Sequence, residues 1–239
     1  MKIAMLSAVG LLLAAGSANA TTFSFASDVD HTSFTFAGFG QVLRDAQDRS
    51  DPVTLLIDDD NGPLPALSFD LEFQFDAMLT HVASIPVGGG QFLHTYTLAG
   101  SQGPAASFGF YDALGAPVLT AQFVGGIFSA DGSAGTWGST AGVQAGDITG
   151  QVVYTWHGAD IPAYGLFTGQ SVGLDDAAFT LSFLQTAGGP GVGLGATAPY
   201  PVEEWASEGS FSGTAHFVPA PGLISLAGLS LGFMGRRRR

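Results

Sequence analysis

Gly169-Gln170-Ser171-Val172-Gly173 is the one stretch of this chain with the pattern of a nucleophile elbow, G-x-S-x-G. An elbow needs a strand before the serine and a helix after it, so that a strained turn lifts the hydroxyl out. Here Leu174-Asp175-Asp176-Ala177 leads into another strand-like run. In a chain with 35 glycines the pentapeptide reads as a chance match. Gly191-Val192-Gly193-Leu194-Gly195-Ala196 fits G-x-G-x-x-A, but no flanking strand or helix N-terminus is there to hold a pyrophosphate. It reads as a flexible loop.

Carboxylates are the other chemically suggestive groups. Asp70, Glu72 and Asp76 fall on one side of an alternating run. Glycoside hydrolysis uses two carboxylates about 5–9.5 Å apart, one with its pKa raised by burial. A solvated acidic strand face is the expectation here. Asp58-Asp59-Asp60-Asn61-Gly62 offers oxygen ligands for a structural Ca²⁺, without the alternating spacing of an EF-hand. The competing reading is a hydrated turn that keeps an edge strand from pairing. Asp28 and Asp30 alternate, yet no glycine follows them. His31, His81, His94, His157 and His216 form neither H-x-H nor H-E-x-x-H. His94 lies on the apolar side of its run and is expected to be a hydrogen-bonded core residue. No catalytic residue and no cofactor is assigned, and the chain is expected to be non-enzymatic.

The elements that would position these groups read as β-strands. In Ser68-Phe69-Asp70-Leu71-Glu72-Phe73-Gln74-Phe75-Asp76 the apolar residues point one way and the polar ones the other; helical spacing would scatter them. The same rhythm recurs at Phe23/Phe25, Phe34/Phe36, Phe92 to Leu98, Phe108/Phe110, Leu119 to Phe123, Val153/Thr155, Phe179/Leu181/Phe183 and Phe211 to Phe217. Turn signals such as Gly88-Gly89-Gly90 and Asp131-Gly132 separate the runs. Many short strands with glycine turns predict an antiparallel all-β body, a sandwich or jelly roll. Two regions look loose: Asp45 to Pro65, around an apolar island at Val53 to Ile57, and the Gly- and Pro-rich stretch Ala187 to Pro201.

Both ends of the chain carry export signals. Met1-Lys2 opens a positive region, Ile3 to Ala15 is apolar, and Ala18-Asn19-Ala20 is an A-x-A cleavage site. At the other end Val218-Pro219-Ala220-Pro221 precedes an apolar stretch, Gly222 to Met234, and the cluster Arg236, Arg237, Arg238 and Arg239. A full membrane span needs about 20 apolar residues. This stretch is shorter, and arginines that snorkel to the interface extend its reach. The arginines are expected on the cytoplasmic side, with the body outside. The predicted organisation is a signal peptide (1–20), a β-sandwich body (21–217) and a C-terminal segment with a short hydrophobic helix (218–239).

Charge agrees with export and excludes some partners. Between the two end segments only Arg44 and Arg49 oppose 20 carboxylates, a net charge of −18, and no lysine is present. Such a body repels phosphate backbones, so nucleic acid is excluded as a partner. It also repels anionic headgroups except at the arginine tail. With no cysteine, stability must come from burial and hydrogen bonding.

The C-terminal residues Val218 to Arg239 resemble the sorting signal of the PEP-CTERM family of bacterial exported proteins: a Pro-Glu-Pro-like motif, a hydrophobic helix and a terminal arginine cluster. Here Ala220 stands between Pro219 and Pro221 in place of the glutamate. The runs Ala178 to Phe183 and Ser210 to Ala215 also resemble the last strands of such proteins. The resemblance implies a Gram-negative source, recognition and cleavage of the tail by an exosortase-like membrane enzyme, and delivery to the cell surface or an exopolysaccharide matrix. An uncleaved single-pass anchor, a carbohydrate-binding module, a glycan-active jelly-roll enzyme and an outer-membrane β-barrel are the alternative readings.

Overall fold

A computed structural model describes residues 20–26, 34–36, 42–44, 52–59, 63–101, 103–146, 150–173 and 175–219. The predicted signal residues Ala18 and Asn19, the residues Asp60, Pro221 and Arg236 to Arg239, and the predicted C-terminal helix lie outside them. In chain order the strands are β1 Ala20–Ala26, β2 Phe34–Phe36, β3 Val42–Arg44, β4 Val53–Asp59, β5 Leu67–Gly88, β6 Gln91–Ala99, β7 Ala106–Tyr111 and β8 Pro117–Val124. They continue with β9 Ile127–Ser133, β10 Thr136–Gly146, β11 Gln151–Trp156, β12 Gly169–Gln170, β13 Asp176–Thr186, β14 Gly189–Pro190, β15 Val192–Gly193 and β16 Trp205–His216. Among the described residues the only helical element is one 3₁₀ turn, Pro162–Tyr164, and no helix is long and apolar enough to cross a membrane. The expectation of an antiparallel all-β body is met: every strand pairing is antiparallel, within one 16-stranded sheet.

β5 organises that sheet. Its 22 residues would run about 70 Å fully extended, so one strand reaches four partners. On one side it pairs with β4 through residues 67–71 and with β3 through 76–78. On the other it pairs with β7 through 72–76 and with β6 through 78–88, with register shifts at His81/Ala83 and Pro86/Gly88 that bend it. The sheet therefore closes on itself in the order β5-β4-β1-β16-β13-β10-β9-β6 and back to β5, while β7-β8-β11-β12 branches from the middle of β5. Closure leaves fewer free edges for aggregation.

The branch lies over β13 and β16, and the inward residues meet as rings. Phe108 stands 4.9 Å from Phe179 and 5.3 Å from Phe211, and Phe73 is 5.7 Å from Phe179. A second aromatic group, Tyr96, Phe128, Trp137, Trp205 and Phe36, fills the other end of the ring of strands. Full burial of each large apolar side chain is worth about 1.5–3 kcal/mol. This is how a chain without disulfides is stabilised.

Five local readings are corrected. Asp131-Gly132 is no turn: both residues lie within β9, opposite Leu93 and Phe92 of β6. Val53 to Ile57 is no island in a loose segment; it forms β4 between β1 and β5, with Val53, Leu55 and Ile57 buried. In β11 the inward set is Val152, Tyr154 and Trp156, not Val153 and Thr155, because the larger apolar set takes the core side. Ala187 to Pro201 is not a flexible loop. It carries β14 and β15, buries Val192, and ties Gly191 N–H to the Leu184 carbonyl at 2.7 Å. Gly191 has φ +86°, and a Cβ there would lie 2.9 Å from the Trp137 carbonyl oxygen, so the strap closes only on glycine. Finally, Phe183 does not continue the rhythm of Phe179 and Leu181. A bulge between Ser182 and Gln185 turns it outward, 63 % exposed at φ 53°, and turns Leu184 into the core.

Candidate functional site

The outer face of β5 carries the carboxylates expected there. Asp70 is exposed and accepts a hydrogen bond from the Thr54 hydroxyl at 2.8 Å; Asp76 accepts one from Ser101 at 2.7 Å. Glu72 is half-buried on the same side. Leu71, Phe73 and Phe75 point to the opposite side and are buried. The three tryptophans, Trp137, Trp156 and Trp205, are all buried in the core. Carboxylates and tryptophans thus occupy opposite sides of the sheet and do not line a common cleft.

Asp58 is exposed near the end of β4, opposite Thr22, whose hydroxyl donates to the Asp58 backbone carbonyl at 3.4 Å. The side chains of Asp59 and Asp60, the other calcium candidates, lie outside the described residues. Among the described residues no group of three or more His, Asp or Glu gathers closely enough to hold a metal ion.

A second polar cluster sits where β16 ends. Asp175 is buried, and its Oδ1 accepts both the backbone N–H and the ring Nδ1 of His216, each at 3.1 Å. Asp176 Oδ1 accepts the Thr214 N–H at 2.8 Å. Tyr154 reaches across to donate its hydroxyl to the Asp176 carbonyl. This approach requires Gly213, where a Cβ would lie 2.1 Å from the Tyr154 oxygen. Burial, with the adjacent Asp176 and Asp175 charges, pushes the Tyr154 phenol well above its ordinary pKa. Two consecutive carboxylates therefore hold the last residues of the last strand.

Ser171 of the G-x-S-x-G stretch belongs to this neighbourhood but not to a catalytic arrangement. It follows the two-residue strand β12, and no helix follows it. Its hydroxyl is buried and accepts the Tyr154 N–H at 2.9 Å, while its own N–H donates to the Tyr154 carbonyl at 2.8 Å. The serine thus extends the pairing of β11 and presents nothing to His216. Ser171, Asp175 and His216 stand in the chain order of a hydrolase triad, but the serine hydroxyl is bonded to the Tyr154 N–H and the His216 ring to Asp175, so no nucleophile–base hydrogen bond is formed.

The opposite end of the ring holds a chain of polar groups. His94 is fully buried, as expected; Nδ1 lies 2.9 Å from Ser84 Oγ and Nε2 2.7 Å from the Ser133 carbonyl. Ser84 also meets His81 Nε2 at 3.0 Å. Trp137 Nε1–H donates to Tyr96, which donates to the Pro199 carbonyl, and Tyr200 accepts the His81 N–H at 3.1 Å. These bonds pin the strap from β13 to β16 over the ring. Burial raises the Tyr96 pKa to about 12, opposed by the Trp137 hydrogen bond. Trp205 Nε1 and Ser207 Oγ, two residues apart on the inner face of β16, are buried without a hydrogen-bond partner.

Sequence reasoning placed His94 correctly. It missed the Asp175–His216 pair, which joins positions 41 residues apart and has no short-range spacing to reveal it. The only signal was Asp175-Asp176 at the start of a strand-like run. Comparison of the chain with family models, curated proteins and solved structures finds no match.

Proposed function

We propose that this chain is a non-enzymatic exported protein of the cell surface or extracellular matrix, sorted by its C-terminal segment and associated with exopolysaccharide. The body is read as a β-sandwich, its sheet folded back so that aromatic residues fill the inside and carboxylates face out. The observation that carries the reading is the register of the end strands. β1 begins at Ala20, the last residue of the expected cleavage site, and Ala20 is the Cα partner of His216, the last residue of β16. The signal peptide and the sorting segment would then join the body side by side, at one end. That geometry suits a body held by its tail to the membrane it has crossed.

An acidic outer surface without lysine stays hydrated and repels other polyanions, so an exopolysaccharide partner would be neutral, or bridged through cations. The three buried tryptophans weigh against a carbohydrate-binding module, which stacks sugars on exposed aromatics. The partner that processes the tail would be an exosortase-like enzyme recognising Pro219, Pro221 and the arginines. Mass spectrometry of the C-terminus of the protein isolated from its own cells tests the reading. A new terminus upstream of Arg236 is expected; an intact run to Arg239 on surface-exposed protein would reject processing and leave an uncleaved anchor.

A further inference from the structure

We infer a fixed order of maturation: hydrolysis of the Ala20–Thr21 bond must come before β16 docks on β1, whereas the tail can be processed on the closed fold. The inference rests on reading Ala18-Asn19-Ala20 as a leader cleavage site. In that step water adds across the amide, the hydroxyl going to the Ala20 carbonyl carbon and the proton to the Thr21 nitrogen.

The bond lies inside a paired strand. Ala20 is opposite His216 and Thr21 opposite Ala215; on the other side Thr21 is opposite Asp59 of β4. Thr21 is completely buried and its hydroxyl donates to the Tyr164 carbonyl at 2.7 Å. A peptidase binds its substrate as an extended chain, taking up main-chain hydrogen bonds that here are spent on two neighbouring strands. Fraying does not free the bond cheaply. Phe23 and Phe25, two and four residues on, are buried at 0 % and 2 % exposure and pack on Tyr154 and Phe73. On the far side the Asp175 clamp holds His216 by backbone and ring.

Chain order keeps the bond open for long enough. Among the described residues β16 is the last strand, so β1 has no partner on that side until residues 205–216 have been delivered. The C-terminal segment is placed differently. β16 ends at His216, Val218 is already exposed, and the Pro219 motif begins beyond the last strand pairing. A sorting enzyme can therefore meet a finished body.

The test uses the full-length chain, diluted from denaturant into buffer, with purified bacterial leader peptidase added after increasing delays. Tryptophan fluorescence follows folding, and intact mass reports cleavage after Ala20. The initial cleavage rate is expected to fall at least about 100-fold as folding completes, because cleavage then waits on local opening. A rate independent of delay while fluorescence reports complete folding would overturn the order of events and leave the leader assignment intact. No cleavage after Ala20 even at zero delay would overturn the leader assignment, and the ordering with it.

Discussion

Asp175 and His216 are joined twice through one oxygen: Oδ1 accepts the backbone N–H and lies equally close, 3.1 Å, to ring Nδ1. The carboxylate is buried while the imidazole is about one-third exposed. Removing the acid leaves a strand-end amide without its acceptor. Loss of such a buried partner costs about 1–3 kcal/mol. Asp175→Ala is therefore expected to lower the unfolding free energy by about 2 kcal/mol, read from the shift in the urea midpoint. His216→Ala keeps the amide bond and should cost less than half as much. Equal losses in the two variants would show that the ring contact, and not the backbone clamp, holds the strand end.

Two of the five tyrosines tie stability to alkaline pH. Tyr96 has its pKa raised to about 12 by burial, and burial raises Tyr154 as well. The unfolded chain releases these protons near the ordinary tyrosine value of about 10; the folded chain keeps them. Their contribution is therefore complete below about pH 10 and is lost as the pH rises through the folded values. Thermal unfolding midpoints should be flat from about pH 8 to 9.5 and then fall steeply. Absorbance at about 295 nm should show these two phenols ionising only when the protein unfolds. Tyr96→Phe should flatten part of the alkaline fall. An unchanged slope in that variant would remove Tyr96 from the account.

Phe183 offers a stabilising substitution. Its φ of 53° is the left-handed conformation that costs a residue with a Cβ about 1–2 kcal/mol, and its ring is 63 % exposed. Phe183→Gly removes that strain at the cost of a more flexible unfolded chain. The expected outcome is a change between zero and about 1 kcal/mol in favour of the fold, measured by denaturant unfolding. A loss above about 1 kcal/mol would mean that the exposed ring makes a contact that fixes the bulge.

What the sequence revealed of this fold depended on side-chain size. The run from Phe69 to Asp76 was legible because large apolar and charged residues alternate without interruption. β9 and β10 were not, since their inward positions include Ala130, Gly132, Ala141 and Ala145, whose small side chains give a weak alternating signal. The outward turn of Phe183 was hidden for another reason. A bulge is set by what packs on each side of the strand, here by Leu184 entering the core and its carbonyl meeting Gly191. The carboxylate face of β5 was visible in the same way as the strand itself. The Asp175–His216 clamp was not, because strand pairing creates that proximity and local spacing does not encode it.

Ser171 and Ser207 make a matched pair for the last prediction. Both are buried serines, at 7 % and 1 % exposure, and each removes one hydroxyl from water. Ser171 Oγ accepts the Tyr154 N–H, whereas Ser207 Oγ has no partner. Desolvating a hydroxyl without a compensating bond costs about 1–3 kcal/mol by protein mutational data. Deleting one that is bonded leaves its partner orphaned at a similar cost. Ser207→Ala should therefore be neutral or stabilising by up to about 1 kcal/mol, and Ser171→Ala destabilising by about 1–2 kcal/mol. Parallel urea titrations of the two variants give the difference directly. If Ser207→Ala proved the more damaging, the hydroxyl at the closed end of the ring would have a partner, and ordered water between it and the Trp205 N–H would be the first place to look.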